Sequence, residues 1–314
     1  MGEKPTSMAM IEFEQLFKKV SNWGKWGPED TLGTLNHIKS SHVRAAAGLV
    51  HSGRTVSMAI PVNTVAGPDN AHPAVHYMAQ THDTASSQGE PSFALDYIGC
   101  EFHGDCHTHI DALCHIGYKD RLYNDRPVSS VVSTGARIMD ITEYAHGIVG
   151  RGVLLDIPRL RGVKWLEPGE AVTTEELLAA EEAEGVRLGE GDIFLFRSGH
   201  HRRRLDLGSW YCGSDGLGRA GLHPNAMLLL HERMVAAFLP DGDGETIPSR
   251  VEGIAAPIHA LQIGAMGMAC ADSLQFEELT KVCEEEGRWE FMVVVAPLRF
   301  PGCTGSLVNP IALL

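Results

Sequence analysis

The sequence predicts a single α/β domain, and three observations carry that expectation. Strand-like apolar runs alternate with segments of helical spacing, 44% of the residues are hydrophobic, and no repeat or low-complexity block divides the 314 residues. Such a chain has enough apolar side chains to fill a substantial core. The strand-like runs are GRTVSMAIPV (53–62), ARIMDI (136–141), GIVGRGVLLDI (147–157), DIFLFRSG (192–199), MVAAFLP (234–240) and WEFMVVVAPL (289–298). All are β-branched or apolar and bounded by Gly, Pro or Asp. Helices are expected over 40–53, where Gly53 serves as a C-cap, and over 173–185, where Thr and then acid open the segment like a capping box and Gly185 closes it. HPNAMLLLHER (223–233) and QFEELTKVCEEEG (275–287) carry apolar residues at helical spacing. The alternation is too irregular for a plain doubly wound sheet, and no GxGxxG or GxxxxGK follows a strand, so nucleotide binding has no support. Residues 63–95 are polar and rich in Gly, Pro and Ser; a loop that long is usually functional, as a lid or as an arm reaching a neighbouring subunit.

Charge and cysteine content narrow the function classes. Lys plus Arg number 26 against 40 Asp plus Glu, a formal net charge of -14, which disfavours nucleic acid as a partner. The N-terminus lacks the apolar core of a signal peptide and no window reaches the length of a membrane span, so a cytoplasmic protein with no membrane contact is expected. The seven cysteines are scattered and odd in number. They read as reduced structural thiols rather than a disulfide scaffold.

The densest chemistry lies in EFHGDCHTHIDALCH (101–115). As a strand this segment would place His103, Asp105, His107, His109 and Asp111 on one face, because side chains alternate with period two. Three imidazoles and two carboxylates cannot be buried dry without a cation to satisfy them. Same-face neighbours two apart are about 6.6 Å apart, and metal–ligand bonds are about 2 Å, so sharing an ion requires the strand to bend. Gly104 and the turn implied by ALCHIG (112–117) supply that bend. Imidazole plus carboxylate donors suit Zn²⁺ or Mn²⁺, the second Asp favouring the harder Mn²⁺. Cys106 falls on the opposite face, as a core thiol. Elsewhere, HHRRR (200–204) reads as an exposed basic turn or an anion contact, and Asp241 and Asp243 as turn residues or pocket walls. His72, His76 and His82 read as solvent-facing loop histidines. Trp23 and Trp26 wall an aromatic pocket or enter the core.

HTHIDALCH (107–115) resembles the HxGTHxDxPxH signature of the metal-dependent cyclase family, which includes bacterial kynurenine formamidase and isatin hydrolase. Thr108, His109, Asp111 and His115 match it; Asp105 stands at the first His, His107 at the Gly and Leu113 at the Pro. SNWGKWGPEDTLGTLNHI (21–38) is similar to the opening of one branch of that family. PIHALQIGAMGMACADSLQFEEL (257–279) resembles a later segment, with His259 matching a His and Asp272 standing where Glu is usual, and the ending APLRFPGCTGSLVNPIALL resembles the family's Gly-Thr-Gly-Ser close.

The resemblance implies a swivelling β/β/α domain with a central barrel-like mixed sheet, peripheral helices, and a homodimer or homotetramer. It implies a divalent metal, Mn²⁺ or Zn²⁺, on Asp105, His109 and Asp111, with His103 and His107 as alternatives to Asp105. His115, His259 and Asp272 are the implied catalytic residues, as second-metal ligands or as groups that move protons. The activity implied is metal-dependent hydrolysis of a small-molecule substrate, a cyclic amide, formamide or lactone, by an activated water. A lyase, dehydratase or true cyclase using the same ion, and a metal-binding protein without catalysis, are the alternatives.

Overall fold

The computed structural model describes residues 7–83 and 91–314. Its centre is a curled, nine-stranded mixed sheet forming a half-barrel with helices around it. Across the sheet the strands run in the order Thr55–Ser57, Ile311–Leu313, Glu290–Val295, Ile148–Asp156, Ile193–Arg197, Ala237–Pro240, Ala269–Asp272, His109–Asp111, Gly305–Leu307. The four strands from Ile148–Asp156 to Ala269–Asp272 pair parallel, and every other pairing in this sheet is antiparallel.

The parallel middle explains the continuous apolar runs in the sequence. Strands covered on both faces need no polar alternation, and all five residues of Ile193–Arg197 are buried. Period two then sends Phe194, Phe196, Val153, Leu155 and Phe238 into one core, and Ile193, Leu195, Leu154 and Leu239 into the other. Truncating a wholly buried ring such as Phe194 to Ala would cost about 3–5 kcal/mol through lost transfer energy and the cavity left behind.

Helices form where their caps announce them. In Thr174–Glu184, Thr173 accepts from the Glu176 amide, Glu176 reaches back to the Thr173 amide, and Gly185 ends the helix at φ 67°. Ser40–Ala47, Ala226–Glu232 and Glu277–Glu286 fall inside the other expected segments, but the first ends at Gly48 rather than at the expected cap, Gly53. Met10–Val20, for which the sequence suggested no element, buries Phe13, Leu16 and Val20.

Four expectations change. HHRRR opens a helix, His200–Leu207, with His200 and His201 buried. Asp241 starts it: its carboxylate accepts from the amides of Ser198, Gly199 and His200 and from the Ser198 hydroxyl, at 2.7–3.0 Å. Of 136–141 only Ala136 lies in a strand, Gly135–Ala136, paired with Val131–Val132 outside the main sheet. Within the expected loop 63–95, Val75–Gln80 pairs antiparallel with Leu95–Gly99 to form an arm; the part of that loop at 84–90 lies outside the described residues. Finally, the strand expected to carry the odd-numbered ligands is confined to His109–Asp111, and residues 103–107 bend.

The arm is bare. Val75, Tyr77, Leu95 and Tyr97 are each about half exposed, and the Tyr77 and Tyr97 rings stack at 4.8 Å. Among the described residues no helix is long and apolar enough to cross a membrane.

Candidate metal centre

Strand pairing builds the site. His109–Asp111 lies beside Ala269–Asp272, with His109 opposite Asp272 and Asp111 opposite Cys270. Directly opposite residues in an antiparallel pair share a face and stand about 5 Å apart. The register therefore assembles one patch of two carboxylates, an imidazole and a thiol, all buried. On the other flank Gly305 sits opposite Asp111. A Cβ on Gly305 would lie 2.6 Å from the Ile110 carbonyl and 2.9 Å from the His103 ring, so the missing side chain leaves the room that His103 occupies.

Asp111 is the hub. His103 Nδ1 lies 3.0 Å from Asp111 Oδ1, His109 Nε2 3.6 Å from the same oxygen, and His115 Nε2 3.7 Å from Oδ2. His103, His109 and Asp111 form one group with ligand-capable atoms within 4.8 Å of each other, and Asp111, His259, Cys270 and Asp272 form a second. The carboxylate is thus common to both. Both Asp111 oxygens and His103 Nδ1 are buried without a well-aligned hydrogen bond, the carboxylate meeting only the ring nitrogens of His103, His109 and His115. A buried carboxylate left so costs several kcal/mol, and a cation held between the facing lone pairs removes that cost. Burial by itself would raise the Asp111 carboxyl; His103, His109 and His115 instead hold it well below the usual range.

The ring orientations are set from outside. His109 Nδ1 faces the His107 carbonyl at 2.8 Å. A carbonyl only accepts, so Nδ1 carries the proton and Nε2 presents its lone pair to Asp111. His103 Nε2 lies 3.1 Å from the Thr304 hydroxyl, and its ring stacks on His115 at 4.0 Å. Burial, opposed by Asp111, pushes His115 down to about 4.

His259 occupies a short helix, Pro257–His259, that runs directly into a π-helical segment, Ala260–Ala265. Glu245, 1% exposed, accepts from the His259 amide at 2.7 Å and faces Nδ1 at 3.0 Å, while Nε2 meets Asp272 at 3.1 Å. Burial opposes a charge on this ring, but Asp272, Cys270 and Glu245 together hold it well above the ordinary histidine range. The pair of carboxylates therefore keeps a proton on each ring nitrogen.

Of the residues singled out in the sequence, His109, Asp111, His115, His259 and Asp272 come together. Asp105 does not. It is an ion-pair partner of the Arg219 guanidinium, which Asp243 shares at 2.6 Å. The bend at 103–107 is the reason: it carries His103 inward and turns Asp105 aside. His107 also leaves the patch, with Nε2 donating to the Asn63 carbonyl at 3.1 Å and Nδ1 3.3 Å from the Cys106 sulfur. Cys106 is 3% exposed, and burial raises its thiol to about 12. His72, His76 and His82 lie outside both groups. Glu245 and Cys270 were missed. Glu245 stands two residues beyond Asp243 in LPDGDGE, and Cys270 lies two before Asp272, the spacing that puts it on the same strand face.

This donor set fits a divalent cation: neutral imidazole and carboxylate suit Zn²⁺ or Mn²⁺, and the thiol adds a softer donor. The comparisons agree with the architecture. The family model described as Cyclase matches residues 56–243. A crystal structure of a novel cyclase aligns with TM-score 0.84 at 31% identity, covering 94% of this chain and 99% of its own. Isatin hydrolase A from Labrenzia aggregata, bound to benzyl benzoate, aligns with TM-score 0.58 at 20% identity over 87% of this chain and 98% of its own. A predicted metal-dependent hydrolase from Bacillus stearothermophilus aligns with TM-score 0.50 at 14% identity over 82% and 97%. At those identities the last two bear on the fold alone. No curated protein matches the chain in sequence.

Proposed function

The chain belongs to the cyclase family, and from that premise we propose that it is a metal-dependent hydrolase opening a cyclic amide, formamide or lactone. The observation that carries this reading is the buried Asp111 carboxylate, ringed by three imidazole nitrogens at 3.0–3.7 Å and without a well-aligned hydrogen bond of its own. We assign His103, His109 and Asp111 as the residues that hold a divalent ion, Mn²⁺ or Zn²⁺. A divalent ion there supplies Lewis acidity toward a carbonyl and makes hydroxide accessible near neutral pH.

The protein's own groups supply the rest. Glu245 and Asp272 hold His259 between them, so Nε2 is the atom from which a proton can be passed to a leaving nitrogen or oxygen. His115, partly exposed and with Nε2 3.7 Å from Asp111 Oδ2, is the ring placed beside the ion-binding residues to accept the proton of an attacking water. The stack of His103 on His115 fixes that acceptor beside the ion-binding residues. The apolar face of the arm supports a homo-oligomer, a homodimer or homotetramer, as the acting form.

The test is metal analysis of the purified protein, followed by chelation and a panel of cyclic amides, formamides and lactones with and without Mn²⁺ or Zn²⁺. Hydrolysis adds about 18 Da to the substrate, one water. Loss of that product on chelation and its return with metal are expected. A product lighter by the same mass would turn the reading to a lyase or dehydratase, and a metal-loaded protein inert across the panel would turn it to a non-catalytic binder.

A further inference from the structure

A second concave site lies away from the metal centre, between the helix Met10–Val20 and the turn at Tyr118–Arg121. Its volume is about 370 Å³, and Phe17, Trp23 and Tyr118 form its wall. Phe17 meets Trp23 edge-on at 6.0 Å and leans against Tyr118 at 5.0 Å and 35°. The three rings pack on one another and together form one angled aromatic wall, on whose open face a planar ring can stack or meet an edge. The volume is in the range of small-molecule sites. Single exposed apolar residues need no explanation, but three half-buried aromatics gathered in one concavity do.

The rim has a definite charge. Lys18, Lys119 and Arg121 line it against one acid, Glu14. Glu14 is engaged by Lys119, and Arg121 has only an exposed partner, Asp125, at 3.3 Å. Lys18 has no ion pair among the described residues. In a chain of net charge -14, this local excess of cations above an apolar wall selects an anion with a flat apolar body. The turn that presents Lys119 is held in an unusual conformation, with Lys119 at φ 49° and Asp120 at φ 59°. A non-glycine pair in that region persists where its surroundings impose it.

We propose that this slot is a second ligand site, for a small aromatic carboxylate. Its walls continue into the metal centre along two short paths. The Trp23 indole donates to the Gly264 carbonyl at 2.8 Å, in the π-helical segment that begins directly after His259, and Tyr118 follows His115 by three residues. An occupant seated against Trp23 and Tyr118 presses on the segments that carry both histidines, so binding is expected to alter turnover as well.

The experiment is calorimetric and tryptophan-fluorescence titration of the intact protein with 1-naphthoate, and with neutral 1-naphthamide as the uncharged control. Saturable 1-naphthoate binding at one site per chain is expected, with 1-naphthamide about tenfold weaker, the difference that two exposed charge contacts make. Lys18→Gln with Arg121→Gln, both on exposed side chains, should weaken 1-naphthoate by the same factor and leave 1-naphthamide unchanged. Phe17→Leu, which keeps the apolar volume but removes a ring, should weaken both. Asp111→Asn should leave 1-naphthoate binding intact, which separates this slot from the metal centre. Absence of saturation at millimolar 1-naphthoate, binding indifferent to the two charge substitutions, or binding lost in Asp111→Asn would each overturn the proposal.

Discussion

Exchanging roles between His103 and Asp105 gives the sharpest test of the metal centre, because the two residues lie two apart and the structure sends them to opposite tasks. Asp105→Asn removes one of the two carboxylates on Arg219, whose side chain is 12% exposed. Leaving a buried charge wholly unpaired costs about 3–5 kcal/mol, and Asp243 remains as a partner, so roughly 2 kcal/mol is expected. With about 2.1 cal/mol/K of unfolding entropy per residue, the whole chain of 314 residues converts that loss to a fall of about 3 °C in Tm. Bound metal should be unchanged. His103→Ala acts in the opposite sense. It removes a donor 3.0 Å from Asp111 and should lower metal affinity by more than ~100-fold, beyond what loss of an outer partner produces. It should leave empty the space beside Gly305 that the ring occupies, with little effect on the fold. Differential scanning calorimetry and metal analysis on both variants decide the matter. An Asp105→Asn protein stripped of metal, beside a His103→Ala protein that retains it, would refute the assignment.

Three further outcomes are expected. His109→Ala should lose both metal and turnover while Cys106→Ser keeps both, measured by metal analysis and the substrate panel; an active, metal-free His109→Ala protein would dismiss the site. Glu245→Gln should reduce turnover about 10–100-fold, because it weakens the hold on His259 Nδ1 without touching the proposed ion-binding residues; the kinetics would contradict this if only substrate affinity changed. Burial, partly offset by the Asp156 amide, raises Glu184 to about 8. The fold therefore binds that proton more tightly than the unfolded chain, and the stability it contributes is present below about pH 4.5 and lost as pH climbs toward 8. Glu184→Gln should be more stable than the parent by a few kcal/mol above pH 8 and nearly equal to it at pH 5. Thermal melts at the two pH values check the sign, and a pH-independent difference would contradict it.

Much of the architecture was legible because the signals were local. The continuous apolar run at 193–196 and the Thr173 capping box each follow from a few adjacent side chains, and both stand in the structure. Resemblance carried the distant residues, bringing His259 and Asp272 beside His109 across more than a hundred positions. What could not be read was geometry that depends on other strands. Period two from His103 to Asp111 called for a bend at Gly104 but not for its direction, and pairing extends the chain only over His109–Asp111. Where residues 103–107 bend is decided by Thr304 and Gly305, which offer the His103 ring a place to sit, and by Arg219, which draws Asp105 away. The basic run at 200–204 became a helix for a comparable reason, since the four hydrogen bonds at its start are accepted by Asp241, just past the strand Ala237–Pro240. Composition within a segment carries no trace of such partners.

The position of the arm has a mechanical consequence. Its second strand ends at Gly99, four residues before His103, and its first strand rises from the loop where Asn63 receives the His107 ring. Whatever clamps or frees that projecting ribbon therefore pulls on the one proposed ligand that does not belong to the sheet. His109 and Asp111 are anchored on two sides by ladder bonds, while His103 hangs from a tether whose far end is wet. Affinity for the ion would then change with the state of the ribbon, so a gain of a neighbour on that surface would be felt as a tighter grip at the centre.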